Sequence, residues 1–444
     1  MTVIIPVYNS DRMLRECLLA LAAGDEQPEE IIVVDDGSTD ASAATATSFG
    51  ANVLSTGGRR GPAFARNLGA KAAKGNILLF LDADVCVHQD TISRIRDLFR
   101  HDETLDAVIG AYDDSPAEPD FLSQYRNLMH CYVHRISRRE ASTFWTGCGA
   151  IRREIFLAHD GFDDAYGRPA IEDIELGYRL HASGRRILLD SDIQVKHLKR
   201  WTFWNLVKTD IFDRGIPWTE LILRHHQLQN DLNLQLSQRV SIALVYLLVL
   251  VALAAALVSG GTFLLPFFAV LLLVLSTCWA ETARFEAGAT AKLTVGAVLL
   301  LMGILALAHG MGWILPPLAA GYALLFLRHR YAYSNMTMRR RTGLLWGFYA
   351  VFAMASFLAY LPSHPLIFLF FFLLAALVVI NSQFYVFLVH RLGWLYAAAA
   401  IPFHLLFHFY NGISFISGFV RHHLASFRTP AKAQTREQRL TPHV

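Results

Sequence analysis

Asp82-Ala83-Asp84 closes the apolar run Ile77-Leu78-Leu79-Phe80-Leu81. Such a run reads as a buried strand, so both carboxylates stand at its carboxy-terminal edge, where open α/β sheets take ligands. Hard oxygen ligands at that place suit Mg²⁺ or Mn²⁺ held against a diphosphate, although an Asp-x-Asp also serves as a helix cap. A second acidic pair lies in Ile171-Glu172-Asp173-Ile174-Glu175. A helix starting there and ending near Ser183-Gly184 carries both acids in its first turn. They either complement the helix dipole or include a carboxylate that deprotonates an attacking hydroxyl. Gly57-Gly58-Arg59-Arg60-Gly61-Pro62 feeds Ala63-Phe64-Ala65-Arg66-Asn67-Leu68-Gly69. This is a diphosphate contact or an ordinary turn with solvated Arg59 and Arg60; Arg66 has the better functional case, because its helix begins beside the strand ends.

The elements that must position these groups can be read from periodicity. Val3-Ile4-Ile5-Pro6-Val7-Tyr8-Asn9 is a strand ending in polar residues, and Ile31-Ile32-Val33-Val34-Asp35-Asp36-Gly37-Ser38 is a second one ending in acids and a turn. Residues 11 to 23 place Met13, Leu14, Leu18 and Leu21 at helical spacing between them. With a third strand near Val53 and the fourth at 77 to 81, strand and helix alternate as in a parallel α/β sheet. Three strand ends then offer polar groups on one edge.

With these blocks in order, the first 230 or so residues resemble the family 2 glycosyltransferases of GT-A fold. The resemblance rests on Pro6-Val7-Tyr8-Asn9, Asp35-Asp36-Gly37-Ser38, Arg66-Asn67-Leu68-Gly69, Asp82-Ala83-Asp84 and Glu172-Asp173. It implies that the first two blocks hold the nucleoside, favouring a UDP-sugar. It also implies that Asp82, Ala83 and Asp84 bind metal and donor, that Asp173 is the catalytic base, and that Glu172 positions the acceptor. A histidine after a late strand is a third metal ligand in many such enzymes, and Val195-Lys196-His197 fits; a lone histidine at a strand end is otherwise structural. Lys196, Lys199 and Arg200 would neutralise a diphosphate or lipid headgroups. The small-residue stretch Trp145-Thr146-Gly147-Cys148-Gly149-Ala150 reads as a loop before Ile151. The resemblance makes Gly147, Cys148 and Gly149 part of the donor-sugar and acceptor pocket; a tight structural turn is the alternative.

The chain departs from the polymer-making branch of that family. In place of a Gln-x-x-Arg-Trp block it has Asp213-Arg214-Gly215-Ile216-Pro217-Trp218. Trp201, Phe203, Trp204, Leu206, Ile211, Phe212 and Trp218, mixed with Lys208, Arg214 and Arg224, read as an interfacial amphipathic segment over 201–239, or as a core helix. Such a segment would seat the site at headgroup level and put Trp218 on the acceptor side.

Beyond Arg239 the composition becomes that of a membrane. Apolar runs at 240–258, 263–279, 293–308, 313–327, 344–361 and 366–380 are near the ~20 residues that cross a bilayer. Residues 395–420 carry Pro402, His404 and His408 and span, kink or re-enter. Links at 259–262, 309–312 and 362–365 lack Lys and Arg, whereas Arg328-His329-Arg330 and Arg339-Arg340-Arg341 bracket one loop. That alternation puts the catalytic domain on the cytoplasmic side of the cell membrane.

The expected organisation is thus an α/β nucleotide-sugar-binding domain over 1–200, the interfacial segment, an all-α transmembrane domain over 240–428, and a polar, disordered tail over 429–444. A content of 54% hydrophobic and 17% charged residues in 444 residues agrees. The net charge of +3 argues against nucleic acid as a partner. Five cysteines without Cys-x-x-Cys spacing suit reduced thiols. No cleavable signal is expected, since the first residues already form a strand. The implied partners are a nucleotide sugar, a lipid or lipid-linked acceptor and the membrane. Processive polysaccharide synthesis, lipid transport and sensing by a degenerate site are the alternatives.

Overall fold

The computed structural model describes residues 1–225, 234–258 and 365–428. They divide into two compact units. One comprises Met1–Glu118, Leu122–Leu236 and the chain from Tyr410; the other comprises Pro119–Phe121 and Ser237–Phe409.

The first unit alternates strand and helix as the apolar runs require: β1 (Thr2–Val7), α1 (Asp11–Ala22), β2 (Glu30–Asp35), α2 (Ser42–Ser48), β3 (Asn52–Ser55), α3 (Pro62–Ala72) and β4 (Ile77–Leu81). Leu14, Cys17, Leu18 and Leu21 form the buried stripe of α1. Pro62 opens α3 at a position whose N–H has no helical acceptor. After β4 come β5 (Val85–Val87), α4 (Thr91–His101), β6 (Ala107–Tyr112), α5 (Phe121–Ile136), β7 (Cys148–Arg152), α6 (Arg153–Ala158), α7 (Glu172–Ala182) and β8 (Ile187–His197).

These strands form one sheet in the order β3-β2-β1-β4-β7-β6-β8-β5. The first four are mutually parallel. β7 then runs antiparallel to both β4 and β6, so the sheet as a whole is mixed. One expectation changes with it: Cys148, Gly149 and Ala150 lie in β7, not in a loop, because they pair with Leu81, Phe80 and Leu79. The pairing of β8 with β6 shifts register between Ile109 and Ala111. The core between sheet and helices is built on Ile4, Ile32, Phe80, Phe144, Phe156 and Phe162.

Beyond β8 the chain forms α8 (Phe203–Lys208), a π-helical turn (Thr209–Gly215) and α9 (Ile216–His225). Of the residues expected on an interfacial face, Trp204 is 77% exposed and Phe212 53%. Trp201 is fully buried, its backbone N–H donating to Ser123 Oγ at 2.7 Å.

The second unit contains α10 (Leu236–Val258), α11 (Pro365–Ile380), α12 (Ser382–Leu392) and the first part of α13 (Trp394–Arg428). Among the described residues, two helical stretches, Leu236–Val258 and Trp394–Leu424, are long and apolar enough to cross a membrane; α11 and α12, bent by 66°, add a third if they count as one span. α13 continues through Pro402. The runs at 263–279, 293–308, 313–327 and 344–361 and the tail lie outside the described residues. Val245, Leu248 and Val251 pack with Phe370, Leu373 and Leu377, and Asn381 Nδ2 donates to Ser241 Oγ at 2.9 Å.

Candidate active site

The carboxy-terminal ends of β1, β2 and β4 bring the expected blocks to one edge. Asn9, at φ +48°, joins two of them: its Oδ1 accepts from Thr39 N at 2.7 Å, and its N–H donates to Ser38 Oγ at 3.0 Å. Pro6 and Val7 belong to β1, paired with Val34 and Asp35 of β2. Tyr8 is exposed, with the Arg59 guanidinium 4.3 Å from its ring centroid. Asp35 Oδ1 accepts from Ser38 N at 3.0 Å. Asp36 is turned inward and folds the glycine loop, accepting from Arg60 N at 2.8 Å, Gly61 N at 2.9 Å and Thr56 Oγ1 at 2.9 Å. Gly61 has φ +94°, and a Cβ there would stand 2.6 Å from the Gly167 carbonyl carbon, so only glycine fits this turn.

Arg66 occupies the centre. It is 4% exposed and spans the two acidic blocks: Nη2 donates to Asp82 Oδ1 at 2.7 Å and Nη1 to Glu172 Oε1 at 2.9 Å. Its charge is shared between two carboxylates. Next to it, Asn67 Nδ2 donates to the Phe162 carbonyl and to Asp164 Oδ1, both at 2.7 Å, and its Oδ1 accepts from Phe162 N at 2.9 Å. The two side chains fasten α3 to the segment that leads into α7.

Glu172 has its second oxygen engaged as well, by Ala170 N at 2.9 Å. With both oxygens bound and 4% exposure, it anchors the start of α7. Asp173 faces the other way, accepting from Thr146 N at 3.2 Å and Thr146 Oγ1 at 3.3 Å. α7 approaches the segment before β7 this closely because Gly177 has no side chain: a Cβ would sit 2.2 Å from Phe144 N. Burial, reinforced by the neighbouring Glu172 charge and opposed by Arg66, pushes the Asp173 carboxyl up to about 6.

Asp84 is in the opposite state. β5 pairs antiparallel with β8, setting Val85 against His197, and Leu198 N donates to Asp84 O at 2.9 Å. His197 Nε2 therefore lies 3.5 Å from Asp84 Oδ2. Burial opposes ionisation, but the charge and hydrogen bond of His197 hold Asp84 down to about 2. Asp82 points to Arg66, and Ala83 is buried between the two acids. Among the described residues no three His, Cys, Asp or Glu side chains converge into a metal cage. Asp84 and His197 nevertheless supply an oxygen–nitrogen pair that would suit a divalent cation. Lys199, just beyond, lies 4.4 Å from the Trp201 ring centroid; burial lowers its pKa, and Asp84 and Asp82 oppose that shift.

The expected acceptor-side residues come from around the start of β7 and from α9. Gly147 packs on Trp145, and Gly149 backs onto Trp145 O and the Phe144 ring. The Cys148 thiol is buried in β7 and pushed up to about 12 by that burial. Trp218 joins Ile171, Tyr178 and Leu221, its Nε1 donating to Tyr178 Oη at 3.4 Å. Sequence reasoning missed Asn127, Tyr112 and His130, all beside His197. They come from α5 and β6, and no local motif marks them.

Residues 2–159 match the family model for glycosyl transferase family 2. The amino-terminal region is a family 2 glycosyltransferase domain. Curated relatives of the domain bear glycosyltransferase names. Glycosyltransferase GlyG of Streptococcus pneumoniae serotype 4 is 34% identical over 116 residues, 25% of this chain and 38% of the relative. Validoxylamine A glucosyltransferase of Streptomyces hygroscopicus subsp. limoneus is 28% identical over 228 residues, 41% of this chain and 48% of that protein. Poly-beta-1,6-N-acetyl-D-glucosamine synthase of Staphylococcus aureus is 27% identical over 194 residues, 42% of this chain and 47% of that enzyme. The chain spans less than half the length of each of these three relatives. Among solved structures, the mannosyltransferase PcManGT from Pyrobaculum calidifontis, in complex with GDP-Man and Mn²⁺, aligns with TM-score 0.40 and 20% identity over 73% of this chain and 86% of that one. S. aureus TarS 1–349 aligns with TM-score 0.37 and 20% identity over 50% and 65%.

Proposed function

We propose that this glycosyltransferase domain moves a sugar, with inversion, from a nucleotide sugar to a membrane-associated, lipid-linked acceptor at the cytoplasmic face. One observation carries the reading: of two acidic pairs, one member of each is bound to Arg66, while Asp84 stands 3.5 Å from His197 Nε2 and Asp173 is packed against Thr146. The first setting lowers a carboxyl's pKa and the second raises it. Environments that drive two carboxylates apart in this way assign one to binding positive charge and the other to moving a proton.

The nucleoside lies along the β1 and β2 ends, where Tyr8 under Arg59 offers a flat face and Asp35 offers an acceptor; a UDP-sugar is favoured. Asp84 and His197 hold Mg²⁺ or Mn²⁺. When bound, that cation offsets the charge developing on the departing diphosphate. Lys199 adds a cation on the same side. Asp173 accepts the proton of the acceptor hydroxyl as that oxygen attacks the anomeric carbon opposite the leaving group, and one displacement inverts the carbon. Thr146, donating to Asp173 from N and Oγ1, keeps the base oriented.

The membrane acceptor is supported by the apolar helices, by exposed Trp204 and Phe212, and by the arginine-bracketed loop. Likeness to the poly-N-acetylglucosamine synthase favours processive synthesis as a second reading, and the absence of Gln-x-x-Arg-Trp weighs against it. The test is to incubate purified protein with host lipid extract, Mn²⁺ and a panel of nucleotide sugars, following nucleoside diphosphate release and labelled lipid. Lipid-dependent release with one donor, lost in Asp84→Ala, is expected. Long polymer from a short primer establishes the processive reading, and donor binding without release contradicts both.

A further inference from the structure

The geometry points to Asn127 of α5 as the residue that fixes His197 in its metal-binding form, an inference that rests on the metal reading of Asp84 and His197. Asn127 is 1% exposed, and its Oδ1 lies 2.7 Å from His197 Nδ1. A carboxamide oxygen only accepts, so Nδ1 carries a proton whatever the charge of the ring, and Nε2 is the nitrogen left to give a lone pair to a cation that displaces its proton. Nε2 faces the side of Asp84 Oδ2, 3.5 Å away.

The ring is held in plane as well as in tautomer. Tyr112 stacks on it with centroids 4.3 Å apart and planes inclined by 11°. Tyr112 stacks in turn with His130, one turn further along α5, at 5.9 Å and 4°. α5 is itself clamped beside Asn127. Arg126 Nη2 donates to Asp210 Oδ1 of the π-helical turn at 2.5 Å, and Tyr410 Oη donates to the other oxygen of Asp210 at 2.6 Å.

A residue kept for packing alone would not look like this. Asn127 Nδ2 is buried with no hydrogen-bond partner among the described residues, a penalty an apolar side chain of the same size avoids. The carbonyl half of the amide is the half in use. Outer partners of this kind set the orientation and basicity of a histidine ligand, and their loss weakens metal binding by roughly 10–100-fold. Asn127 is thus a positioning residue; it touches neither donor nor acceptor.

The test measures Mn²⁺ affinity of the full chain in detergent with UDP present, from the electron paramagnetic resonance signal of free Mn²⁺. Wild type is compared with His197→Ala, Asn127→Leu and Asn127→Asp, with a melting temperature for each. Asn127→Leu, which removes the acceptor, is expected to weaken Mn²⁺ binding by roughly 10–100-fold. Asn127→Asp retains an acceptor for Nδ1–H and is expected to stay near wild type. Asn127→Leu binding as tightly as wild type would overturn the role. So would Asn127→Asp losing affinity at an unchanged melting temperature, a result that decides the matter even where the leucine variant does not fold. Wild type that takes up no Mn²⁺, or an unaffected His197→Ala, sinks the metal reading and this role with it. An intact His197 effect beside a neutral Asn127→Leu sinks this role alone.

Discussion

The end of β4 and the start of α7 each carry two acids, and the two places make opposite use of the same chemistry. In both, one carboxylate is tied to Arg66: Asp82 at 2.7 Å and Glu172 at 2.9 Å. The partner of each is left for work. Asp84, beside His197, is stabilised as an anion, whereas Asp173, buried next to the Glu172 charge, is destabilised as one. A single guanidinium thereby lets four acids share a small volume while two of them keep opposite affinities for a proton. The difference teaches that environment, not residue type, sets a carboxylate's affinity for a proton.

The sharpest way to break this comparison is to remove its divider. Arg66→Met leaves Glu172 as a buried charge without its partner, which costs about 3–5 kcal/mol. The expected outcome, read by a thermal melt in detergent, is a melting temperature lower by roughly 10 °C or a failure to fold.

Asp173→Asn comes next. It is expected to lower kcat by roughly 10²–10⁴-fold while donor affinity stays near wild type, measured by nucleoside diphosphate release and by calorimetry. It also carries a stability signature of known sign. The folded carboxyl is raised from its ordinary 3.8 to about 6, so its contribution to stability is fully present below pH 4 and lost as pH rises through 6. The variant therefore melts higher than wild type at pH 8, and the gap closes below pH 4.

A smaller contrast separates the members of the β4 pair. Asp84→Asn is expected to cost Mn²⁺ affinity at least the roughly 10–100-fold that outer partners are worth. Asp82→Asn, whose amide oxygen still accepts from Arg66, changes it by less than about threefold. Equal losses in the two variants would place both acids on the metal and end the distinction.

The parts of this site that could be read in the sequence are those that local pattern dictates. Ile77–Leu81 had to be a buried strand, so Asp82 and Asp84 had to stand at its end; the stripe Leu14, Leu18, Leu21 had to be a helix. Glu172 and Asp173 fell in the first turn of α7 for the same reason. What escaped depends on residues far apart in the chain. Arg66 meets Glu172 across 106 positions and His197 meets Asn127 across 70, so no periodicity announces either pair. Cys148 and Gly149 looked like a loop because small residues suit loops, but antiparallel pairing with β4 makes them strand. Trp201 looked interfacial by composition, yet it is buried between Arg126 and Lys199, cations that pack on its ring.

The most direct test of the divided pairs is the pH dependence of nucleoside diphosphate release at saturating donor and Mn²⁺. Release should fall tenfold per unit below an apparent pKa of about 6, where Asp173 takes up its proton, and level off above it. An acid limb near 4, or a flat profile between pH 5 and 8, would contradict the account.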